Sequence, residues 1–256
     1  MGLIRRRLPN GQDVTQVDAA EAALLYREIF VEESYRRPGG ARPTPGVIFD
    51  IGANIGLASM FFKSRYPAAF IVAAEPGPDT YRALEENFAR HVPDGLARNV
   101  AITATDGHAR FGYYPKAPAE SGLYTEQVRE TALARKLLIE GGVPVRDAEH
   151  LATSRHQLSY VECETMTFSR LLRDSGAERA DLVKIDVEKA EADVIAGIAD
   201  DDWAKIGELV VEVHDIDGRL GDIEALLRQR GFDVTDTQER RLADTDLHLT
   251  FAVRAV

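Results

Sequence analysis

From residue 47 onward, short apolar runs alternate with stretches of helical period, and that alternation leaves few folds open. Segments 47–51, 70–74, 97–102, 109–114, 182–187 and 209–213 read as strands. Segments 57–65, 78–90, 194–198 and 223–229 read as helical, with Pro78 at a first turn where a missing N–H costs nothing. Strands apolar on both faces, separated by helices, imply a mostly parallel, doubly wound α/β sheet covered on both sides. Segments 232–235 and 247–253 close the chain as an edge pair, the C-terminal strand antiparallel. Residues 116–160 break the alternation. They are polar, rich in Glu, Arg and His, and read as two helices joined near Gly141-Gly142, a helical lid insertion. Residues 1–46 form a separate N-terminal unit, a hairpin and a capping helix, before the main domain at 47–256. Asn10-Gly11 turns the hairpin over 3–17. Asp18 reads as an N-cap with Glu21 completing a capping box, and the helix runs on through Ile29 and Phe30 to a Pro/Gly-rich linker at 37–46.

The loop after the first strand carries the chemistry. Val47-Ile48-Phe49-Asp50-Ile51-Gly52-Ala53-Asn54-Ile55-Gly56 ends a buried strand on an acid and opens a helix through two glycines. In a doubly wound sheet, that place is the crevice at the carboxyl ends of the strands. Glu75 ends the next strand 19 residues after Gly56, where such folds put a carboxylate on ribose hydroxyls. The loop has neither the G-x-G-x-x-G of a dinucleotide site nor the lysine of a phosphate-cradling loop. A ribose-bearing cofactor without phosphates remains, and S-adenosylmethionine fits, with Asp50 engaging its cationic amino-acid end directly or through water.

Asp50-Ile51-Gly52-Ala53-Asn54-Ile55-Gly56, Glu75-Pro76, Asn99-Val100-Ala101 and Lys184-Ile185-Asp186-Val187-Glu188 with Glu191 resemble the FkbM family of S-adenosylmethionine-dependent methyltransferases, in particular its macrolide O-methyltransferase branch. The resemblance implies a class I, Rossmann-like methyltransferase fold. It implies that Asp50, Gly52, Asn54 and Gly56 line the methionine end, that Glu75 with Pro76 holds the ribose, and that Ala101, after Asn99, faces the adenine. Tyr26 and Glu28 would close the pocket from the N-terminal helix. Many family members carry Gly after the second acidic residue, where this chain has Lys189.

Two later strands end in ionisable groups at alternate positions, Asp186 with Glu188 and Glu212 with His214. If strand geometry persists, each pair points to one side of the crevice. His214 is the first candidate for the base that takes an acceptor hydroxyl's proton, with Glu212, Asp186 or Glu188 orienting it or replacing it. Asp186, Glu212 and His214 are also a plausible set for Mg²⁺. His150 and His156, in the insertion, read as solvated. A net charge of −11 argues against nucleic acid or an anionic membrane as partner. One cysteine excludes an intrachain disulfide, and no apolar run is long enough to cross a membrane. The polar residues after Arg5–Arg7 do not read as a signal peptide, so the expected place is the cytoplasm. The expected activity is O-methylation of a hydroxylated small-molecule natural product of polyketide type. The rivals are a sugar or glycan hydroxyl acceptor and a non-catalytic cofactor-binding assembly protein. A homodimer through the insertion is a further expectation.

Overall fold

The computed structural model describes residues 2–36, 43–238 and 245–255, so part of the expected linker lies outside the described residues. A hairpin, β1 (Ile4–Arg7) and β2 (Asp13–Gln16), leads into α1 (Ala19–Tyr26) and then a π-helical turn at Arg27–Val31. There follow β3 (Val47–Ile51), α2 (Leu57–Arg65), β4 (Phe70–Ala74), α3 (Pro78–His91), β5 (Leu96–Arg98), β6 (Ala101–Ile102) and β7 (Gly107–Tyr113). The insertion holds α4 (Gln127–Glu140) and α5 (Val145–Arg155), joined at Gly141-Gly142 as expected. The chain continues through β8 (Ser159–Met166), α6 (Phe168–Asp174), β9 (Ala180–Ile185), α7 (Glu191–Ala196), β10 (Ile206–His214), α8 (Arg219–Gln229), β11 (Phe232–Thr237) and β12 (Leu247–Arg254).

Seven strands form the main sheet in the order β11-β12-β10-β9-β3-β4-β5. The five strands from β10 to the far edge at β5 are parallel, and β12 is antiparallel to both neighbours. The antiparallel C-terminal strand therefore sits one place in from the edge, with β11 outside it. A second sheet, β6-β8-β7, carries the insertion on its β7–β8 connection. The expected strand at 97–102 divides between the two sheets. Asn99 turns out at the break, its amide donating to the carbonyls of Glu75 at 2.8 Å and Pro76 at 3.2 Å.

Period-two alternation sorts β3 between two cores. Phe49 and Ile51 pack with α6, α7 and α8 on one face, and Ile48 packs with α2 and α3 on the other. Full burial of a side chain such as Phe49 is worth about 1.5–3 kcal/mol. The N-terminal unit adds Leu8, Val14, Val17, Ala22 and Ile29 to the α2–α3 core, so it shares that core rather than keeping one of its own. Buried Asn87 on α3 ties it down: Oδ1 accepts from the Thr15 N–H at 2.8 Å, and Nδ2 donates to the carbonyls of Thr15 and Ile55, each at 2.8 Å. Asp18 caps α1 as expected, accepting from the N–H groups of Ala20 and Glu21. Glu21 does not close a capping box. Its side chain is buried and accepts from the Ala119 N–H at 3.1 Å.

Candidate active site

A cavity of about 320 Å³ opens at the carboxyl ends of β3, β4, β9 and β10. Its glycine loop is built by close backbone contact. Gly52 has φ +74°, and a Cβ there would overlap the Asp186 carbonyl, so no larger residue fits. Asn54 also takes a left-handed conformation, φ +49°, and its N–H donates to Glu75 Oε2 at 2.9 Å. Glu75 Oε1 accepts from the Gly77 N–H at 2.7 Å and from the Thr80 hydroxyl at 2.8 Å. Burial pushes the Glu75 carboxyl up, against the pull of these three donors. A carboxylate offers about four acceptor positions, which leaves one for a ligand hydroxyl. Gly52, Asn54, Glu75, Pro76 and Ala101 all line the cavity.

Four expected cofactor contacts lie elsewhere. Asp50 is fully buried on the same face of β3 as Ile48, beneath α2. It accepts from the Ser59 hydroxyl at 2.6 Å and pairs with Lys184 Nζ at 3.2 Å, so strand parity seals it away from the cavity. Gly56 starts α2 with φ +89°, and a Cβ there would stand 2.7 Å from Leu84, which makes it a packing glycine between α2 and α3. Asn99 spends its amide on the backbone, as above. Tyr26 stacks on Phe30 at 5.1 Å in the α2-side core, while Glu28 lines the cavity from the π-helical turn.

Lys184 is buried between the two halves of the site. Its ammonium donates to the Gly52 carbonyl at 2.7 Å and lies 3.2 Å from both Asp50 and Asp186. Burial alone would lower its pKa, but Asp186 and Asp50 more than offset that and keep it charged. Tyr35 arrives from the N-terminal unit and donates its hydroxyl to Asp186 Oδ2 at 3.0 Å. Nothing in the sequence around Tyr35 marks it, since its contact spans 151 positions.

Asp186, Glu188 and Glu212 converge, each offering an oxygen within 4.8 Å of the others. They do so although strand geometry fails after β9, where Glu188 and Lys189 turn left-handed at φ +49° and +73°. Burial raises Glu212 well above the ordinary carboxylate range, and the charges of Asp186, Glu28 and Glu188 add to it. His214 stands apart from the cavity lining. Its Nδ1 lies 2.9 Å from Glu191 Oε1 and its Nε2 lies 3.3 Å from Glu188 Oε2. Burial opposes the charge, but these two carboxylates raise the imidazole to about 11. With a carboxylate beside each ring nitrogen and its side chain outside the cavity lining, His214 is placed to be held between Glu188 and Glu191 rather than to face a ligand. It also leaves the metal set: the carboxylates that cluster are Asp186, Glu188 and Glu212. Glu191, part of the family-like motif but given no role from sequence, is fully buried and also accepts from Arg219 Nη1 at 3.1 Å.

The insertion covers the cavity with Pro118–Ser121, Leu123 and Arg155. His156 is not solvated but fully buried, its Nε2 2.7 Å from Glu120 and its ring edge-on to Tyr114. Glu21 reaches the cavity from α1, and burial pushes it up to about 7.

The Methyltransferase FkbM domain matches residues 50–234. The chain belongs to the FkbM methyltransferase family. It is 38% identical over 249 residues to the 31-O-demethyl-FK506 methyltransferase FkbM of Streptomyces tacrolimicus, an alignment covering 97% of this chain and 96% of that one. Methyltransferase sdnD of Sordaria araneosa is 34% identical over 231 residues, 86% of this chain and 85% of that one. A stretch of the AMB antimetabolite synthetase AmbE of Pseudomonas aeruginosa is 35% identical over 96% of this chain and makes up 12% of that longer protein. A methyltransferase FkbM from Methylobacillus flagellatus KT shares the class I fold, with TM-score 0.52 and 12% identity over 85% of this chain and 46% of that one. The FkbM match begins at Asp50, so Glu21, Glu28 and Tyr35 reach the cavity from outside it. Among the described residues of this FkbM-family chain, no helix is long and apolar enough to cross a membrane.

Proposed function

We propose that this FkbM-family methyltransferase uses S-adenosylmethionine to O-methylate a hydroxyl of a polyketide- or macrolide-type metabolite, with Glu212 as the base. Gly52, Ala53 and Asn54 would hold the methionine end, Glu75 a ribose hydroxyl, and Val100, Ala101, Ile102 and Phe111 the adenine. Bound there, S-adenosylmethionine would supply an electrophilic methyl group on a cationic sulfur. The cavity suits that cation, since Glu28, Asp186, Glu188 and Glu212 all face it. The hydroxyl substrate class draws on the relative that acts on 31-O-demethyl-FK506.

The observation that carries the choice of base is the contrast within one strand. His214 is clamped as a cation, whereas Glu212, two residues earlier, faces like charges that raise its proton affinity. An aliphatic hydroxyl gives up its proton only as its oxygen bonds to the methyl carbon, and a positioned base there is worth about 10²–10⁴-fold. Glu212 takes that proton, while Lys184 and Tyr35 fix Asp186 beside it. We read the three carboxylates as a base with two partnered neighbours rather than as a Mg²⁺ site. Lys184 and Tyr35 already share Asp186 Oδ2, and His214 already neutralises Glu188.

Calorimetry with S-adenosylmethionine, then turnover with a macrolactone alcohol, a neutral sugar and a hexuronic acid, each with and without chelator, tests this reading. Binding, with chelator-resistant methylation of the macrolactone alcohol, supports it. No binding, methylation of sugars alone, or loss of activity with chelator overturns the corresponding part.

A further inference from the structure

Lys189 follows Glu188 in the turn between β9 and α7, at φ +73°, a conformation that favours glycine. Its backbone is fixed on both sides. The N–H donates to Glu191 Oε1 at 2.8 Å, and the carbonyl accepts from Arg219 Nη1 at 2.6 Å. Its side chain leaves this turn, buried, to bond Glu130 on α4, with Glu126 at 3.7 Å. Glu130 is held from other directions as well, accepting from the Tyr114 hydroxyl at 2.5 Å and the Glu126 N–H at 3.0 Å. Helix α4 fully buries none of its own residues; it lies along α5, tied to it by Gln127, which donates to the His156 carbonyl at 2.6 Å, and by Arg135 with Glu149 at 2.6 Å.

The same residues reach the cavity wall. The Tyr114 N–H donates to Ser121 Oγ at 3.0 Å, and a Cβ on Gly122 would lie 2.9 Å from the Glu188 carbonyl. Pro118, Ser121 and Leu123 line the cavity on this side, and Glu188 lines it beside them. Lys189 itself is not part of the lining. A buried side chain that crosses from a left-handed turn to the exposed helix pair α4–α5 ties that pair to the turn.

We propose that Lys189 is a positioning residue: through Glu130 it latches α4, and with it the 118–123 wall, against Glu188 over the cavity. The consequence for ligand residence rests on the S-adenosylmethionine reading above; the latch itself does not.

The test replaces both charges at once, Lys189→Gly with Glu130→Gln, which leaves no buried ion unpaired and gives position 189 the residue its φ favours. Amide exchange across residues 118–140 is expected to quicken at least fivefold, with the central strands unchanged and the melting temperature near wild type. S-adenosylhomocysteine, measured by stopped-flow displacement, is expected to leave at least fivefold faster. The swapped pair, Lys189→Glu with Glu130→Lys, is expected to restore slow exchange and slow release. Unchanged exchange at 118–140 overturns the latch, and so does exchange that quickens throughout the sheet with a lowered melting temperature. Faster exchange with unchanged ligand release overturns its role at the cavity. If wild-type protein binds no S-adenosylhomocysteine, the cofactor reading fails, and exchange together with the swapped pair still decides the latch.

Discussion

Glu75 and Glu212 are both carboxylates at the cavity, and burial raises the proton affinity of both. Their neighbours differ. Glu75 accepts from the N–H groups of Asn54 and Gly77 and from the Thr80 hydroxyl, all of which favour its charged form. Glu212 faces Asp186, Glu28 and Glu188, which disfavour it. Donors make a fixed acceptor that shapes the glycine loop; like charges make a group ready to take a proton. On the reading proposed above, the cavity has a side that holds and a side that reacts, although both are built from the same residue type.

The largest expected effect breaks the reacting side. Glu212→Gln should lower turnover by about 10²–10⁴-fold with cofactor affinity nearly unchanged, measured by steady-state kinetics and calorimetry. The same change relieves charge crowding and should raise stability by about 0.5–2 kcal/mol in denaturant unfolding. A fall in stability would mean that Glu212 is paired, and the contrast with Glu75 would be lost.

Next comes the cation between the two sides. Lys184→Met leaves Asp50 buried without its ion, so urea unfolding should show a loss of about 3–5 kcal/mol. A smaller loss would mean that Asp50 does not depend on Lys184 and that the two sides are not joined electrostatically.

Glu75→Gln sharpens the holding side. An amide keeps one oxygen acceptor but cannot satisfy donors on both arms, so stability should fall by about 1–3 kcal/mol. Cofactor affinity should weaken while kcat at saturation changes little. A kcat effect without a binding effect would assign Glu75 to the reacting side.

The smallest effect at neutral pH concerns His214. Its folded pKa, about 11, lies above the unfolded value near 6.5, so its contribution to stability is complete below about pH 6.5 and is lost as pH rises towards 11. Wild-type melting temperature should therefore fall more steeply between pH 7 and 10 than that of His214→Gln. Parallel curves would show that the imidazole carries no extra proton in the fold.

Much of the fold was legible because its signals are local. Residues 47–51, 57–65 and 70–74 fall where their periodicity puts them, and the Gly141-Gly142 break separates the insertion helices. Strand β8 and helix α6 were not legible. Alternating polar residues at Ser159–Met166 resemble the insertion before them, and only pairing with β7 and β6 defines the strand. In the site, Gly52 and Glu75 could be placed because the loop spacing fixes them. Asp50 could not, since strand parity and a lysine from β9 decide where it faces. The surroundings of His214 were not legible for a similar reason. Residue type proposes a base, but two carboxylates from the turn after β9 and from α7 set its protonation.

That protonation can be read directly, without an acceptor, from ¹⁵N-labelled histidine by NMR at pH 8. The account predicts that both ring nitrogens of His214 carry a proton, as an imidazolium held between Glu188 and Glu191. A neutral ring at pH 8, titrating near 6.5, would return His214 to the role of base and contradict the assignment to Glu212.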